Sequence, residues 1–348
     1  MQYITTQKEL LEATKHMGEQ QVLAVDLECE NNLHHYGTYI SLIQVSCQDT
    51  DWIVDVLELK TIDPLLEVFA NPSIKKVFHD VSFDLRILHL QFGCRPKNLF
   101  DTQLGALFLG KTEIGLGALL KEYYGVQKER KYQMADWTKR PLDQGMLSYA
   151  TKDTKHLLPL YFDIKKELEE KERFDWVLEE CQFIEESEMT YKENEYTDFK
   201  GFRFLPKKKQ AILKNLFELR EEVAQKVDMP NYFVMSNARI QEILDRPPLK
   251  IEQWKHLKAV HPAVKRNAKR FLEAVTKFDV SQLPETKKHP KYTPEQKEKT
   301  YELGVKAQSV AERLGIRKHL VMNKDQIQDI VLNNNYDSLR DWQKKLVL

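Results

Sequence analysis

The sequence predicts an α/β domain with a mixed central sheet over about the first two hundred of its 348 residues, followed by an all-helical half. Three observations lead there. Apolar runs of strand length at 22–28, 40–46, 52–56 and 75–79 come first, and amphipathic stretches near 82–91, 102–109, 116–124 and 144–170 follow. Beyond residue 205, Ile212, Leu216, Leu219, Val223 and Val227 recur at spacings of three and four, and no strand pattern returns. The charge also divides: equal numbers of cations and anions overall hide a net −11 over 1–204, +7 over 205–280 and +4 over 281–348.

The run 22–28 ends in Asp26-Leu27-Glu28, and alternate strand residues share a face, so both carboxylates point the same way. Asp84 follows the strand-like Lys76-Val-Phe-His and lies in the first turns of a helix for which Ser82 is the expected N-cap. The positive end of that helix favours an acid there. Tyr149 and Asp153 are four apart in a helical stretch, which sets phenol and carboxylate on one helix face. Each piece alone has a plain reading as a solvated strand end, a helix-start charge or a packed ring beside a surface acid. Their joint order and spacing instead predict four carboxylates, Asp26, Glu28, Asp84 and Asp153, gathered for metal ions with Tyr149 beside them.

These residues, with Ile40-Ser-Leu-Ile-Gln-Val45, His79-Asp-Val-Ser-Phe-Asp-Leu85, Phe100-Asp-Thr-Gln103, Gly115-Leu-Gly-Ala-Leu-Leu120 and Ala135-Asp-Trp-Thr-Lys-Arg-Pro-Leu142, resemble the DEDD exonuclease superfamily, and specifically the ribonuclease D family. The resemblance covers nearly all of the first two hundred residues. It implies a ribonuclease H-like mixed sheet with flanking helices over 1–200 and 3′→5′ hydrolysis that releases nucleoside 5′-monophosphates. It also implies two divalent ions, Mg²⁺ or Mn²⁺, with Asp26, Glu28 and Asp153 on one, Asp26 bridging, and Asp84 on the second. Ser148 stands where a related subfamily carries histidine, which makes this the tyrosine type, with Tyr149 orienting the attacking water. A phenol of ordinary pKa near 10 is too weak a base to take that water's proton at neutral pH. Trp137, Arg140 and Pro141 are expected to shape the substrate groove, with Arg140 a candidate RNA contact.

The helical half repeats itself weakly. Val223-Ala224 and 233–244 recur as Val310-Ala311 and 320–331 without a gap, which predicts two copies of one helical module. This half resembles the helicase-and-ribonuclease-D C-terminal (HRDC) module, with one copy at 207–285 and a divergent second at 294–348. Lys265, Arg266, Lys269 and Arg270 have the spacing of a basic helical stripe, a candidate surface for RNA phosphates. The Glu- and Lys-rich run 167–195 reads as a solvated helical face.

Cysteines 29, 47, 94 and 181 are scattered without a C-x-x-C pair, which excludes a zinc-finger or disulfide framework. The chain opens on no apolar signal core, and no run approaches the ~20 apolar residues of a membrane span. A cytoplasmic enzyme without membrane attachment or a small-molecule cofactor is therefore expected, acting as a monomer on RNA with a free 3′ end, transfer RNA precursors first among them. Two alternatives are a DNA exonuclease of the same class and a nucleic-acid-binding protein with an inactive nuclease domain. No polymerase or helicase motif accompanies the first, and the intact acidic set argues against the second.

Overall fold

Six strands form one sheet in the order β1-β4-β3-β2-β5-β6: β1 (Gln2–Ile4), β2 (Val22–Asn31), β3 (Thr38–Ser46), β4 (Asp51–Asp55), β5 (Lys75–Phe78) and β6 (Leu99–Asp101). β3 runs antiparallel to β4, while β1 is parallel to β4 and β5 is parallel to both β2 and β6. The computed structural model that gives this architecture describes residues 1–127, 131–192, 194–284 and 292–348. Interior position explains why β2 through β5 are legible as apolar runs: Leu23, Ala24, Val25, Ile43, Ile53 and Val77 are all buried. The two edge strands, three residues each, are too short to show a pattern, and neither is predicted from the sequence.

The chain divides into two compact units. The first comprises Met1–Glu28, Ile40–Thr190 and Pro290–Leu348, and the second Cys29–Tyr39 and Tyr191–His289. Beyond the predicted helices the first unit contains Gln7–Gly18 and Asp63–Ala70. The expected helix 144–170 is two helices, Gln144–Lys155 and Leu157–Glu170, meeting at His156. Pro159 accounts for the break, because it has no N–H for the Lys155 carbonyl and its ring would clash with it. Ser82 is not an N-cap: it is the first residue of Ser82–Phe92, and Val81 before it makes no side-chain cap bond.

The run 167–195 departs most from expectation. Rather than a solvated face, the helix Phe174–Glu186 uses its acids as fixed acceptors. Glu185, buried, accepts from the Leu99 N–H at 2.6 Å. Glu180 meets Arg340 at 3.0 Å and the Trp342 indole N–H at 3.1 Å, while Glu179 accepts from the Asp341 backbone. Trp342 stacks on Trp176 with centroids 5.0 Å apart. Arg173 donates to the carbonyls of Phe108 and Leu314. These interactions bind the C-terminal helices, Pro294–Leu314, Lys318–Val321, Lys324–Asn333 and Asp341–Val347, into the first unit. At one point backbone meets backbone: a Cβ on Gly110 would stand 2.2 Å from the Gly315 carbonyl oxygen, and both glycines are left-handed helix C-caps.

The second unit is helical, with Lys207–Val227 at its centre and a core that includes Leu216, Val223, Ile240, Trp254 and Phe271. Trp254 stacks on Phe271 at 5.4 Å. The tip of the β2–β3 hairpin belongs to this unit, and there Asp228 accepts from the Tyr36 N–H at 3.2 Å and lies 2.7 Å from His35 Nδ1. The junction between the helical modules, expected between 285 and 294, falls largely at 285–291, outside the described residues.

Packing in the first unit yields a prediction with an unusual sign. Ala normally stabilises a helix interior by about 1 kcal/mol over Gly. Gly105, however, lies in Thr102–Leu109 with Ile164 Cγ2 only 2.6 Å from where a Cβ would be, and that methyl is branched from a fully buried side chain. Gly105→Ala should therefore destabilise by about 1–3 kcal/mol, the usual range for overpacking, read from urea unfolding midpoints. An unchanged or raised midpoint would mean the two helices are loosely packed.

Candidate active site

Asp26 and Glu28 alternate along β2 with the buried Val25 and Leu27, so the pleat that buries the apolar pair lifts both carboxylates to one face. The helix Gln144–Lys155 starts at Asp143, whose carboxylate accepts from the Met146 N–H at 2.8 Å, and it carries Tyr149 and Asp153 on one face. Its neighbour Thr154, buried, is held by the Ser46 hydroxyl of β3 at 2.7 Å, which ties the helix to the sheet next to Asp153. As a result, Asp26, Glu28 and Asp153 each bring a carboxylate oxygen within 4.8 Å of the others.

Asp84 comes from a different element, in the first turn of Ser82–Phe92, and is 9% exposed. Burial raises its carboxyl well above the usual carboxylate range, and the charges of Asp26, Asp80 and Asp101 raise it further. Its position depends on Asp101, which the sequence does not single out as a site residue. The Asp101 carboxylate accepts from the N–H groups of Asp80 (3.0 Å) and Val81 (3.1 Å) at the start of the Asp84 helix. It also accepts from Gln103 (2.8 Å) and Leu104 (3.4 Å) as N-cap of the next helix.

Tyr149 is nine-tenths buried, with its ring 5.7 Å from Tyr132 and 6.0 Å from Trp137. Burial is the largest cause of a raised phenol pKa, followed by the charges of Asp153, Glu28 and Asp26. The hydroxyl therefore stays protonated and able to donate. Tyr132 is a neighbour of the phenol that the sequence does not reveal: the space beside its hydroxyl exists because residue 145 is glycine, where a Cβ would sit 2.2 Å from that oxygen. His79 is 2.9 Å from the Thr102 hydroxyl, and His156 sits at the helix junction, where it lines a small cavity with Tyr149 and Asp153.

Arg140, the expected RNA contact, is partly exposed and has a partner within the fold. Its guanidinium is paired with the fully buried Asp55, Nε at 2.6 Å and an Nη at 2.7 Å, and donates to the carbonyls of Trp137 and Lys139. Tyr3 also hydrogen-bonds Asp55. Arg140 thus anchors the loop that carries the buried Trp137. The expected basic stripe spans two helices: Lys265 and Arg266 end Pro262–Arg266, Lys269 and Arg270 begin Ala268–Thr276, and Asn267 lies between. All four are exposed, and Arg270 is already paired with Glu222.

With this geometry in view, residues 1–169 match the 3′–5′ exonuclease domain family and residues 209–275 match the HRDC domain. Residues 1–169 are thus a 3′–5′ exonuclease domain, followed at 209–275 by an HRDC domain. A curated ribonuclease D of Pseudomonas paraeruginosa is 28% identical over 99% of this chain and 95% of its own length. The exosome complex exonuclease RRP6 of Saccharomyces cerevisiae is 29% identical over 71% of this chain, which spans only 36% of that longer relative. The crystal structure of Escherichia coli RNase D superposes with a TM-score of 0.73 over 99% of this chain and 95% of its own, at 24% identity, and shares its fold.

The family depends on divalent cations, and these residues fit one. The three converging side chains offer only carboxylate oxygens, and a fourth carboxyl buried among acids carries a charge penalty that a cation would relieve. The linkage sign follows. A folded-state carboxyl pKa above the unfolded value means the native state holds its proton longer, so metal-free stability falls as pH rises above the ordinary carboxyl range. Asp84→Asn should remove that decline in EDTA, raising the melting temperature near neutral pH while the parent and variant converge at acid pH. Parallel melting curves of the two proteins against pH would contradict the raised carboxyl.

Proposed function

We propose that the protein is a divalent-metal-dependent 3′→5′ exoribonuclease that shortens structured RNA from its 3′ end and releases nucleoside 5′-monophosphates. The observation that carries this reading is the convergence of Asp26, Glu28 and Asp153 within 4.8 Å, with the buried Asp84 and the protonated Tyr149 beside them. Oxygen-only donors favour two Mg²⁺ or Mn²⁺ ions over softer metals. Asp26, Glu28 and Asp153 would hold one, with Asp26 shared and Asp84 on the other. Bound there, such a pair supplies a water of lowered pKa and neutralises charge on the phosphate. The protonated Tyr149 hydroxyl would donate to an attacking water held there and fix its direction, a role of orientation rather than proton removal. The buried ring of Trp137 and the half-buried ring of Tyr132 keep the phenol from turning away.

RNA is favoured by the full-length correspondence with ribonuclease D, and transfer RNA precursors are the substrate we assign. We place it in the cytoplasm as a monomer; among the described residues no helix is long and apolar enough to cross a membrane. Three parts at 1–200, 207–285 and 294–348 divide the labour, catalysis in the first and RNA capture in the helical modules. Lys265, Arg266 and Lys269 supply phosphate contacts, with Arg270 shared with Glu222.

Asp26→Asn and Asp153→Asn should abolish most turnover of a 3′-labelled RNA oligonucleotide with Mg²⁺ while the melting curve stays cooperative. Near-parental hydrolysis by either would overturn the ligand assignment. Tyr149→Phe should lower kcat by about 10²-fold, the scale of a positioned group in proton-transfer chemistry. A 3′-phosphate should block digestion, a circular RNA should survive, and the same series run on DNA would expose a deoxyribonuclease. Replacing Lys265, Arg266 and Lys269 with Ala should weaken binding of a transfer RNA precursor. The slope of log K against log salt should flatten by about 0.7–0.9 for each phosphate that is no longer neutralised. An unchanged slope would remove those residues from the RNA surface.

A further inference from the structure

The two helical copies correspond residue for residue at an offset of 87. Lys207–Val227 and Pro294–Leu314 are both 21 residues long, and Asn231–Val234 and Lys318–Val321 are both four. Asn237–Asp245 and Lys324–Asn333 start in register. The caps agree as well. Asp228 and Gly315 are left-handed C-caps, Met235 and Met322 share φ −159° with ψ 118° and 119°, and Ser236 and Asn323 cap the next helix with their side chains.

Against that equivalence, two neighbouring positions change character. The first copy has Phe217, 7% exposed, with the Arg220 guanidinium 4.3 Å from its ring centroid. Arg220 is itself buried and donates to the Met235 carbonyl at 3.2 Å and to Asn237 Oδ1 at 2.8 Å. The second copy has Gly304 and Ala307 in their places. Beside Gly304 lies a cavity of about 630 Å³ whose wall includes Tyr292, Thr300, Met322, Ile327, Lys318 and Lys324. The nearest atom to a Cβ built on Gly304 is Lys318 Nζ, at 3.4 Å, so the room is real.

We propose that this cavity is a nucleotide site, in which a nucleobase lies where the first copy holds the Phe217 ring and a phosphate meets Lys318 and Lys324. Three features of the wall define the ligand. A slot left by a missing aromatic ring, floored by Met322 and Ile327 with Tyr292 at its side, takes a planar ring. The Met322 carbonyl, whose counterpart Met235 accepts from a buried guanidinium, has Ala307 in place of that arginine, and the exocyclic amine of adenine, cytosine or guanine can donate to it, whereas uracil lacks an exocyclic amine and offers only its ring N3–H. The two lysines are exposed and form no ion pair among the described residues, so they are available to an anion. The volume is within the ~300–1,000 Å³ of small-molecule pockets. The site involves none of the acidic residues of the nuclease centre and stands whether or not that centre acts on RNA.

Titration calorimetry on the full chain in EDTA, with AMP, UMP, inorganic phosphate and a short oligoadenylate, tests the proposal. Saturable binding of AMP should be at least about tenfold tighter than that of UMP or phosphate, because only AMP carries both ring and amine. Gly304→Phe restores the side chain of the first copy and should abolish AMP binding while leaving oligonucleotide turnover as in the parent. Should that variant not fold, the double change Lys318→Glu with Lys324→Glu must lower affinity at least tenfold. Gly304-dependent binding of AMP identifies a free nucleotide as ligand, and Gly304-dependent binding of oligoadenylate alone identifies a base within an RNA chain. Absence of binding, equal affinity for phosphate and AMP, or affinity indifferent to Gly304→Phe would each overturn it.

Discussion

One buried carboxylate, that of Asp101, holds together the parts that make the nuclease centre possible. It ends β6, caps the helix Thr102–Leu109, and takes the two N–H groups that begin Ser82–Phe92. Burial pushes its pKa up on balance, and the four backbone donors, which favour the charged form, offset part of that rise. The arrangement costs little conformational freedom because every donor is main chain. Its effect is to hold Asp84, the one acid of Ser82–Phe92, close enough to β2 for the charge of Asp26 to act on it. Asp80, with φ at 61°, turns the chain sharply into this cradle, a backbone shape that an Asp tolerates better than most residues.

Much of the centre is legible in the sequence because strand and helix periodicity act over the same short distances as the chemistry. Asp26 and Glu28 need only the pleat, and Tyr149 with Asp153 needs only one helical turn. Bringing those pairs to each other requires the sheet order, which no local pattern contains. The roles of Asp101 and Tyr132 escape sequence reasoning for the same reason: both act across long stretches of chain through contacts that composition does not encode. Arg140 shows the converse. Its place in a family-like motif suggests an RNA contact, yet its partner Asp55 lies 85 residues away at the end of a strand, and a buried pair of that kind is invisible until the chain folds.

The helix Phe174–Glu186 of the first unit carries a related lesson about charge. Acids of Phe174–Glu186 look like solvent-facing residues by their density, but Glu179, Glu180 and Glu185 are each committed to a specific donor. Helical periodicity alone could not separate them from the exposed acids beside them, since the distinction lies in Arg340, Trp342 and the Leu99 N–H. The two helical copies have accordingly diverged. The first builds a complete core around Trp254 and Phe271, whereas the second ends at Asp341–Val347 and completes its burial with Trp342 against Trp176 and Phe108.

The meeting of Gly110 with Gly315 sets a limit on how that second copy can evolve. Two helix ends approach there through bare main chain, so no longer side chain can cushion a change in length on either side. Each residue inserted into Pro294–Leu314 would turn everything after it by about 100° and advance it by about 1.5 Å. Trp342 would leave its ring partners and Arg340 its carboxylate in the same step. The length of that helix is thus fixed as tightly as any core side chain, and drift in this part of the protein is confined to substitutions, such as the one at Gly304, that leave the count of residues untouched.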